Sequence, residues 1–160
     1  MAGIMKANIG RQPFYGTDQN DFLQGNNGVN QIFGRGGNDK ISGNGGNDWL
    51  YGGGGNDTLS GGSGNDWISA GAGRDQIFPG DGDDTIVFDG SAAVQGQKNF
   101  ILYSEGLDTV FLSGDHWVVD YGNIGLEVTW REGYDMSNNT YVLSQFNVVI
   151  SEYYGEWLGA

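Results

Sequence analysis

Seven aspartates between residues 21 and 84 are separated by multiples of nine residues, and no other set of chemically reactive side chains in the sequence is as regular. They are Asp21, Asp39, Asp48, Asp57, Asp66, Asp75 and Asp84. Asn30 occupies the one position that this spacing leaves open. Carboxylates are hard oxygen donors, and oxygen-only sites suit divalent cations, Ca²⁺ more than Mg²⁺ when the shell is irregular. A row of like charges also repels itself unless a cation lies between its members.

Each of these residues is the sixth member of a nine-residue unit that occurs eight times without insertion from 16 to 87. Three consecutive units, Gly43–Ser69, read GNGGNDWLY, GGGGNDTLS and GGSGNDWIS. The fourth position is Gly except at Gln19. The eighth position is always aliphatic: Leu23, Ile32, Ile41, Leu50, Leu59, Ile68, Ile77 and Ile86. Self-similarity at a fixed period indicates a repeat architecture.

The unit divides into a glycine-rich hexapeptide, which favours a turn, and a tripeptide that is long enough for a short strand. Two units make one coil of eighteen residues, and successive coils then stack at ~4.8 Å, the spacing of parallel strands. The sequence therefore predicts an all-β parallel solenoid whose two small sheets face each other across one row of Leu and Ile. Stacking places the aspartates in two columns: Asp21, Asp39, Asp57 and Asp75 along one edge, and Asp48, Asp66 and Asp84 along the other.

Composition excludes several classes of function. The net charge of −13 disfavours nucleic acid and anionic membranes as partners. The chain has no cysteine, and His116 is its only histidine, so thiolate and histidine-rich metal sites are excluded. No segment is long enough to span a membrane, and Met1–Asn8 lacks the apolar run of a secretory signal peptide.

The unit resembles the G-G-x-G-x-D-x-U-x nonapeptide of RTX (repeats-in-toxin) proteins, over 72 of the 160 residues. The resemblance implies a right-handed parallel β-roll with Ca²⁺ held between sixth-position aspartates and backbone carbonyls of turns two units apart. It also implies a secreted, extracellular or cell-surface protein, exported by type I secretion through an uncleaved C-terminal signal and folding only when it meets calcium outside the cell.

Carried over position by position, the resemblance implies four calcium sites, between Asp39 and Asp57, Asp48 and Asp66, Asp57 and Asp75, and Asp66 and Asp84. The backbone ligands are expected from the turn glycines: Gly36, Gly37, Gly45, Gly46, Gly54, Gly55, Gly64, Gly73 and Gly82. Departures from the family pattern lie at the array ends. Gln19 and Asn30 predict weaker or empty sites at the start, and Ala70, Arg74 and Pro79 break the consensus in the last two units.

Alternate units should display an aromatic face, because positions seven and nine point outward from the core. That face carries Phe33, Trp49, Tyr51 and Trp67. An apolar patch of this kind is normally covered or used. One interpretation is that the C-terminal region or a neighbouring chain covers it. The other is that it forms a platform for a carbohydrate or a protein partner.

The flanking segments are interpreted as caps. Residues 1–15 carry no recognised repeat and are assigned as a lead-in that covers the first coil. The repeat is expected to stop after Val87, and 88–160 is expected to form an antiparallel β cap. Its scattered acidic residues, Asp108, Asp115, Asp120 and Asp135, are expected to be solvated. The tail Tyr153–Ala160 is a candidate part of an export signal.

No catalytic constellation is visible, and the neighbours Asp115 and His116 would point to opposite faces of a strand. Two functional classes remain. The first is a non-catalytic, calcium-gated extracellular module that attaches to a surface, a polymer or copies of itself. The second is the C-terminal export, folding and polysaccharide-binding module of a secreted enzyme of the protease, lipase or alginate epimerase type.

Overall fold

The computed structural model describes residues 3–5, 13–89, 97–102, 105–113, 117–121, 125–130, 141–142 and 146–151. These residues form sixteen β-strands and no helix. A helix of the length and apolar character needed to cross a membrane is found nowhere in these ranges.

The strands follow one another at short intervals. The first ten are β1 (Gly3–Met5), β2 (Phe14–Tyr15), β3 (Asp21–Gln24), β4 (Gln31–Gly36), β5 (Lys40–Gly45), β6 (Trp49–Gly54), β7 (Thr58–Ser63), β8 (Trp67–Ala72), β9 (Gln76–Asp81) and β10 (Thr85–Asp89). The others are β11 (Lys98–Leu102), β12 (Asp108–Ser113), β13 (Trp117–Tyr121), β14 (Gly125–Trp130), β15 (Tyr141–Val142) and β16 (Phe146–Ser151).

The strands form two eight-stranded sheets. One sheet has the order β1-β3-β5-β7-β9-β11-β14-β13, and the other has the order β2-β4-β6-β8-β10-β12-β16-β15. Within the array every pairing is parallel and joins residues eighteen apart, as Leu50 with Ile68 and Ile41 with Leu59. The predicted all-β parallel solenoid is therefore confirmed. We call the coils formed by β1–β12 the roll.

One row of aliphatic side chains from both sheets forms the core. All eight residues at the eighth position are at most 2% exposed, and Phe14 packs against them from the N-terminal side. The row continues past the array with Phe88, Ile101, Val110, Leu112 and Val128, which are equally buried. Burial of such a side chain is worth roughly 1.5–3 kcal/mol, so this row is the main apolar contribution to the roll.

Strands β4–β9 are longer than the predicted tripeptide, because each runs through six residues and includes the first three of the following unit. The ladder continues through the second position, where Gly53 pairs with Gly71. The backbone bends at this second position by adopting a positive φ, as it does at Arg35, Asn44 and Gly53. The hexapeptide is thus half strand and half turn, and the turn proper is confined to its last three residues.

The register extends beyond both predicted ends of the array. At the N-terminus, Met5 pairs with Leu23 and Phe14 with Ile32, so the nine-residue spacing begins earlier than expected. At the C-terminus, Ile101 pairs in parallel with Ile77, and Val110 pairs in parallel with Ile86. The prediction that the repeat stops after Val87 is therefore wrong for strand pairing. Among the described residues, antiparallel pairing is limited to β11–β14, β13–β14 and β15–β16.

Two neighbouring glycines provide a test of how closely the coils stack. Gly55 has a φ of 131°, and a side chain there would clash with the carbonyl oxygen of Gly37, whereas a Cβ on Gly54 would meet nothing closer than 4.0 Å. We expect Gly55→Ala to lower the free energy of unfolding by roughly 2–4 kcal/mol. The matched control Gly54→Ala should change it by less than about 1 kcal/mol. Urea unfolding with calcium present measures both, and equal effects would contradict the stacking.

Candidate metal centre

The sixth-position aspartates are drawn inward by strand geometry. Residues two apart in a strand point to the same side, so the sixth-position carboxylate points inward like the buried Leu or Ile at the eighth position. Six of the seven side chains are at most 2% exposed, and Asp21 is 4% exposed. Buried carboxylates are rare unless they are paired or bind a metal. The buried row therefore needs a partner.

One oxygen of each carboxylate from Asp39 to Asp84 accepts a hydrogen bond from the coil before it. The backbone N–H of Asp39 donates to Oδ1 of Asp57, and that of Asp57 donates to Oδ1 of Asp75, both at 2.8 Å. The other column repeats the contact, from Asp48 to Asp66 at 2.7 Å and from Asp66 to Asp84 at 2.8 Å. These bonds fix each carboxylate between two coils.

The remaining carboxylate oxygens have no hydrogen-bond partner although they are buried. They are Oδ1 of Asp21 and Oδ2 of Asp39, Asp48, Asp57, Asp66, Asp75 and Asp84. An unsatisfied buried charge is costly, of the order of 1–3 kcal/mol or more. The same orphan oxygen in the six turns from Asp39 to Asp84 indicates a ligand slot that these turns repeat.

Asn30 reveals what surrounds a sixth-position side chain. Its amide nitrogen donates to the carbonyl oxygen of Gly28, to that of Asn26 at 3.2 Å, and to Oδ1 of Asp48 at 3.0 Å. The position is thus encircled by acceptor oxygens. The other units place a carboxylate here, which has no hydrogen to donate when ionised. Ionised oxygens that face one another in this way require a cation between them.

The first-position glycines leave room beside the carboxylates. A Cβ on Gly52 would lie 2.6 Å from Oδ2 of Asp57 and would clash with the carbonyl oxygen of Ala70. At Gly61 it would clash with Oδ2 of Asp66 and with the carbonyl oxygen of Pro79. The orphan oxygens of Asp39, Asp48, Asp57 and Asp66 therefore each border the same space as a carbonyl of the next coil. Ala70 and Pro79 carry a Cβ at this position, so the spaces beside Asp75 and Asp84 are narrower.

The donor set fits Ca²⁺. We call the space between the turns of two units eighteen residues apart an inter-coil gap. The gaps Asp39/Asp57, Asp48/Asp66, Asp57/Asp75 and Asp66/Asp84 each offer carboxylate oxygens from two aspartates, and backbone carbonyl oxygens lie beside them. In the part of the chain that the structure describes, no three Asp, Glu or His side chains converge on one point. Most ligands would therefore be carbonyls, which suit the flexible shell of six to eight oxygens around Ca²⁺.

Burial also makes the carboxylates reluctant to ionise. It raises the pKa of Asp57 and Asp66 to about 6 and that of Asp75 and Asp84 to about 7, with repulsion from neighbouring aspartates adding to the effect. The backbone N–H donors partly offset these pKa shifts. Near neutral pH these four carboxylates can therefore bind either a proton or a cation.

The structure places the predicted ligands as follows. The pairs Asp39/Asp57, Asp48/Asp66, Asp57/Asp75 and Asp66/Asp84 are each brought together across one gap. The fourth-position glycines share a positive φ, which only glycine adopts readily: Gly37, Gly46, Gly55, Gly64, Gly73 and Gly82. The third-position glycines Gly36, Gly45 and Gly54 end strands β4, β5 and β6. That these aspartates and glycines bind a metal ion stays a prediction.

Two residues that sequence reasoning missed continue the aspartate columns. The N–H of Asp75 donates to Oδ1 of Asn99 at 2.9 Å, and the N–H of Asp84 donates to Oδ1 of Asp108 at 3.0 Å. Asp108 is 1% exposed, so the expectation that it is solvated is wrong. The segment Gly106–Val110, GLDTV, matches positions four to eight of the unit and was the available signal.

The fifth position supplies a second ladder that the sequence analysis did not identify. The side-chain oxygen of Asn38 accepts from the backbone N–H of Asn56 at 2.8 Å, and that of Asn56 accepts from Arg74 at 2.8 Å. Asn47 and Asn65 continue this pattern on the other edge. These exposed bonds join the outer rims of successive turns next to the buried carboxylates.

The aromatic face forms stacked columns. Phe33 lies between Tyr15 and Tyr51, with ring centroids 5.0 and 4.3 Å away, and Trp67 packs tilted against Tyr51 and Trp49. Trp49 is 51% exposed. The described C-terminal strands β12, β16 and β15 extend this sheet in its own plane rather than covering it. A role as a carbohydrate or partner platform stays a prediction.

Comparison with known families assigns the array. A family model for the RTX calcium-binding nonapeptide repeat, which comprises four copies, matches residues 15–50 and again residues 51–86. RTX nonapeptide repeats bind Ca²⁺, in agreement with the oxygen-lined gaps. No curated protein sequence matches the chain significantly.

Proposed function

We propose, on the premise that residues 15–86 are RTX calcium-binding nonapeptide repeats, that the chain is a non-catalytic module that folds on binding Ca²⁺ outside the cell. The observation that carries the proposal is the set of seven buried carboxylates, each with an oxygen that has no hydrogen-bond partner. Ca²⁺ would be held by these oxygens and by carbonyls of the adjoining turns. Bound there, it neutralises the negative charge that stacking concentrates between the coils.

Calcium gating follows from the layout of the core. The core is one row of side chains, and the carboxylate columns run beside it, so the coils cannot stack without bringing carboxylates together. Ligands that bind only the folded chain stabilise it by mass action. An ion in each gap would therefore be coupled to formation of the coil itself.

An extracellular setting is supported by the match to RTX repeats. Oxygen-lined modules that work outside cells bind Ca²⁺ with dissociation constants of about 10⁻⁴–10⁻³ M. RTX proteins are typically exported by type I secretion. A chain whose sites bind Ca²⁺ in this range would stay unfolded during export and fold after it.

The role of the folded module is proposed to be structural or adhesive, including self-association. The alternative, a polysaccharide-binding and folding module of a secreted enzyme, is favoured by one observation, the half-exposed Trp49 beside Trp67. Binding to polysaccharide that is lost on Trp49→Ala, with folding unchanged, would support the alternative. If the wild-type chain does not bind polysaccharide, the alternative is refuted and the structural or adhesive role is retained.

The proposal is tested by calcium titration of the full chain, followed by far-UV circular dichroism and light scattering together. We expect a largely unfolded chain below about 10⁻⁶ M Ca²⁺ and a transition to β-structure between the micromolar and millimolar range. Mg²⁺ at equal concentration should not replace Ca²⁺, since it demands a tight octahedron. A spectrum that calcium does not change would refute the proposal, and scattering that rises with folding would support self-association.

A further inference from the structure

A turn outside the matched repeats reproduces their geometry. Gly106 has a φ of 118°, like the fourth-position glycines, and a Cβ on it would clash with the carbonyl oxygen of Gly82. The N–H of Gly82 donates to the carbonyl of Glu105 at 3.0 Å, and the N–H of Glu105 donates to that of Gly80 at 3.1 Å. The turn that ends at Asp108 therefore stacks on unit 8 (79–87) as units two apart stack on one another in the array.

The stacking survives an insertion in the sequence. Sixth-position residues two units apart are separated by eighteen residues in the array, but Asp84 and Asp108 are separated by twenty-four. The six extra residues fall between strands β10 and β11, after which the spacing from Asn99 to Asp108 is nine again. The unbroken nine-residue period of the sequence ends at this insertion, whereas the stacking of coils continues beyond it.

An orphan oxygen points into the new gap. Oδ2 of Asp84 is buried without a hydrogen-bond partner. In the equivalent unit one coil earlier, Oδ2 of Asp66 borders the carbonyl of Pro79, which belongs to the coil that follows Asp66. By the same geometry, Oδ2 of Asp84 faces the coil that contains Asp108. Oδ1 of Asp108 reaches the gap from the other side, where it accepts from the N–H of Asp84.

The charge around this gap is strongly negative. The exposed residues Asp81, Asp83 and Glu105 lie in the same two turns as the buried Asp84 and Asp108. The neighbouring gap on the other edge is different, since it pairs Asp75 with the neutral Asn99. Of these two gaps at the end of the roll, the one with Asp108 offers the two carboxylates that every predicted calcium site has.

We propose that the gap between Asp84 and Asp108 is a further Ca²⁺ site, which lies beyond the matched repeats and across the insertion. An ion there fastens strand β12 to the array and so couples the segment that follows the repeats to calcium. The inference rests on the proposed function, because it takes calcium as the ion that the array binds.

The test counts bound ions on the full chain by equilibrium dialysis against ⁴⁵Ca²⁺ at saturating calcium. Asp108→Asn should bind one ion fewer than the wild type and remain folded, because Asn99 makes the equivalent hydrogen bond as an asparagine. The control Asp18→Asn, which removes the same charge from an exposed position, should bind the wild-type number. A wild-type count in Asp108→Asn overturns the inference, whereas a wild-type chain that binds no calcium overturns the proposed function instead.

A second measurement decides the matter if Asp108→Asn does not fold. Hydrogen exchange of the wild-type chain, read by mass spectrometry, should show that calcium slows exchange in 105–113 together with exchange in 52–84. Exchange in 105–113 that is the same with and without calcium, while 52–84 becomes protected, would overturn the inference.

Discussion

Replacing Asp57 and Asp66 together with asparagine should abolish most of the stabilisation that calcium gives to the roll. Asp57 lines the gaps shared with Asp39 and Asp75, and Asp66 lines those shared with Asp48 and Asp84, so the pair reaches all four predicted sites. Each ion lost costs about 2.7 kcal/mol at a calcium concentration one hundred times the dissociation constant. Thermal unfolding with and without calcium measures the change.

The same double variant should fold more readily than the wild type when calcium is absent. Asn30 already shows the reason, because its amide donates to the surrounding carbonyls and to Oδ1 of Asp48 instead of needing a cation. Amides at 57 and 66 can make the same contacts, and two buried charges disappear. We expect β-structure in EDTA that the wild type lacks, detected by far-UV circular dichroism.

The control is Asp18→Asn, which removes a negative charge from an exposed position far from the four predicted sites along the sequence. This control should keep the calcium response of the wild type. A double variant at Asp57 and Asp66 that binds as many ions as the wild type would show that these carboxylates are not ligands. One that is as unfolded in EDTA as the wild type would show that their repulsion is not what prevents folding.

Acidification should restore β-structure to the metal-stripped chain. The pKa is raised from 3.8 to about 6 for Asp57 and Asp66, and to about 7 for Asp75 and Asp84, by burial in the folded form. Between pH 4 and pH 7 the folded chain therefore binds more protons than the unfolded one, so its stability rises as the pH falls. The gain is complete near pH 4 and is lost as the pH rises through 6 to 7.

Calcium should reverse this dependence. Protons and Ca²⁺ compete for the same carboxylates, so the calcium concentration at half-folding should increase as the pH falls from 7 to 5. Circular dichroism at a series of pH values, recorded without calcium and at a fixed subsaturating calcium concentration, measures how the folded fraction changes with pH in each condition. A change of the same sign in both conditions would contradict the assignment of these aspartates as the groups that bind both protons and Ca²⁺.

Much of the roll was predictable because each unit encodes its own geometry. The aliphatic eighth position predicted the core, and the eighteen-residue coil correctly paired Leu50 with Ile68. The two columns of aspartates followed from that pairing alone. Strand length was not predictable in the same way, because the left-handed residues at the second position, such as Arg35 and Asn44, bend the chain without interrupting the ladder.

Asp108 illustrates what the spacing could not predict. Its turn resembles the repeat locally, but the insertion before it breaks the period, and only contact with Asp84 shows that it rejoins the column. The aromatic residues are a similar case. Their outward direction follows from alternation, whereas the stacking of Phe33 on Tyr51 depends on side-chain packing between coils.

The sequence by itself determined the period, the core row and the alignment of negative charge, because these depend on local backbone preference repeated at a constant interval. The tertiary structure decided which carboxylate oxygens are already used and which are left over. That division depends on hydrogen bonds between residues eighteen or twenty-four positions apart. Such bonds exist only after the coils have stacked, which is why the metal slots belong to the fold rather than to any single unit.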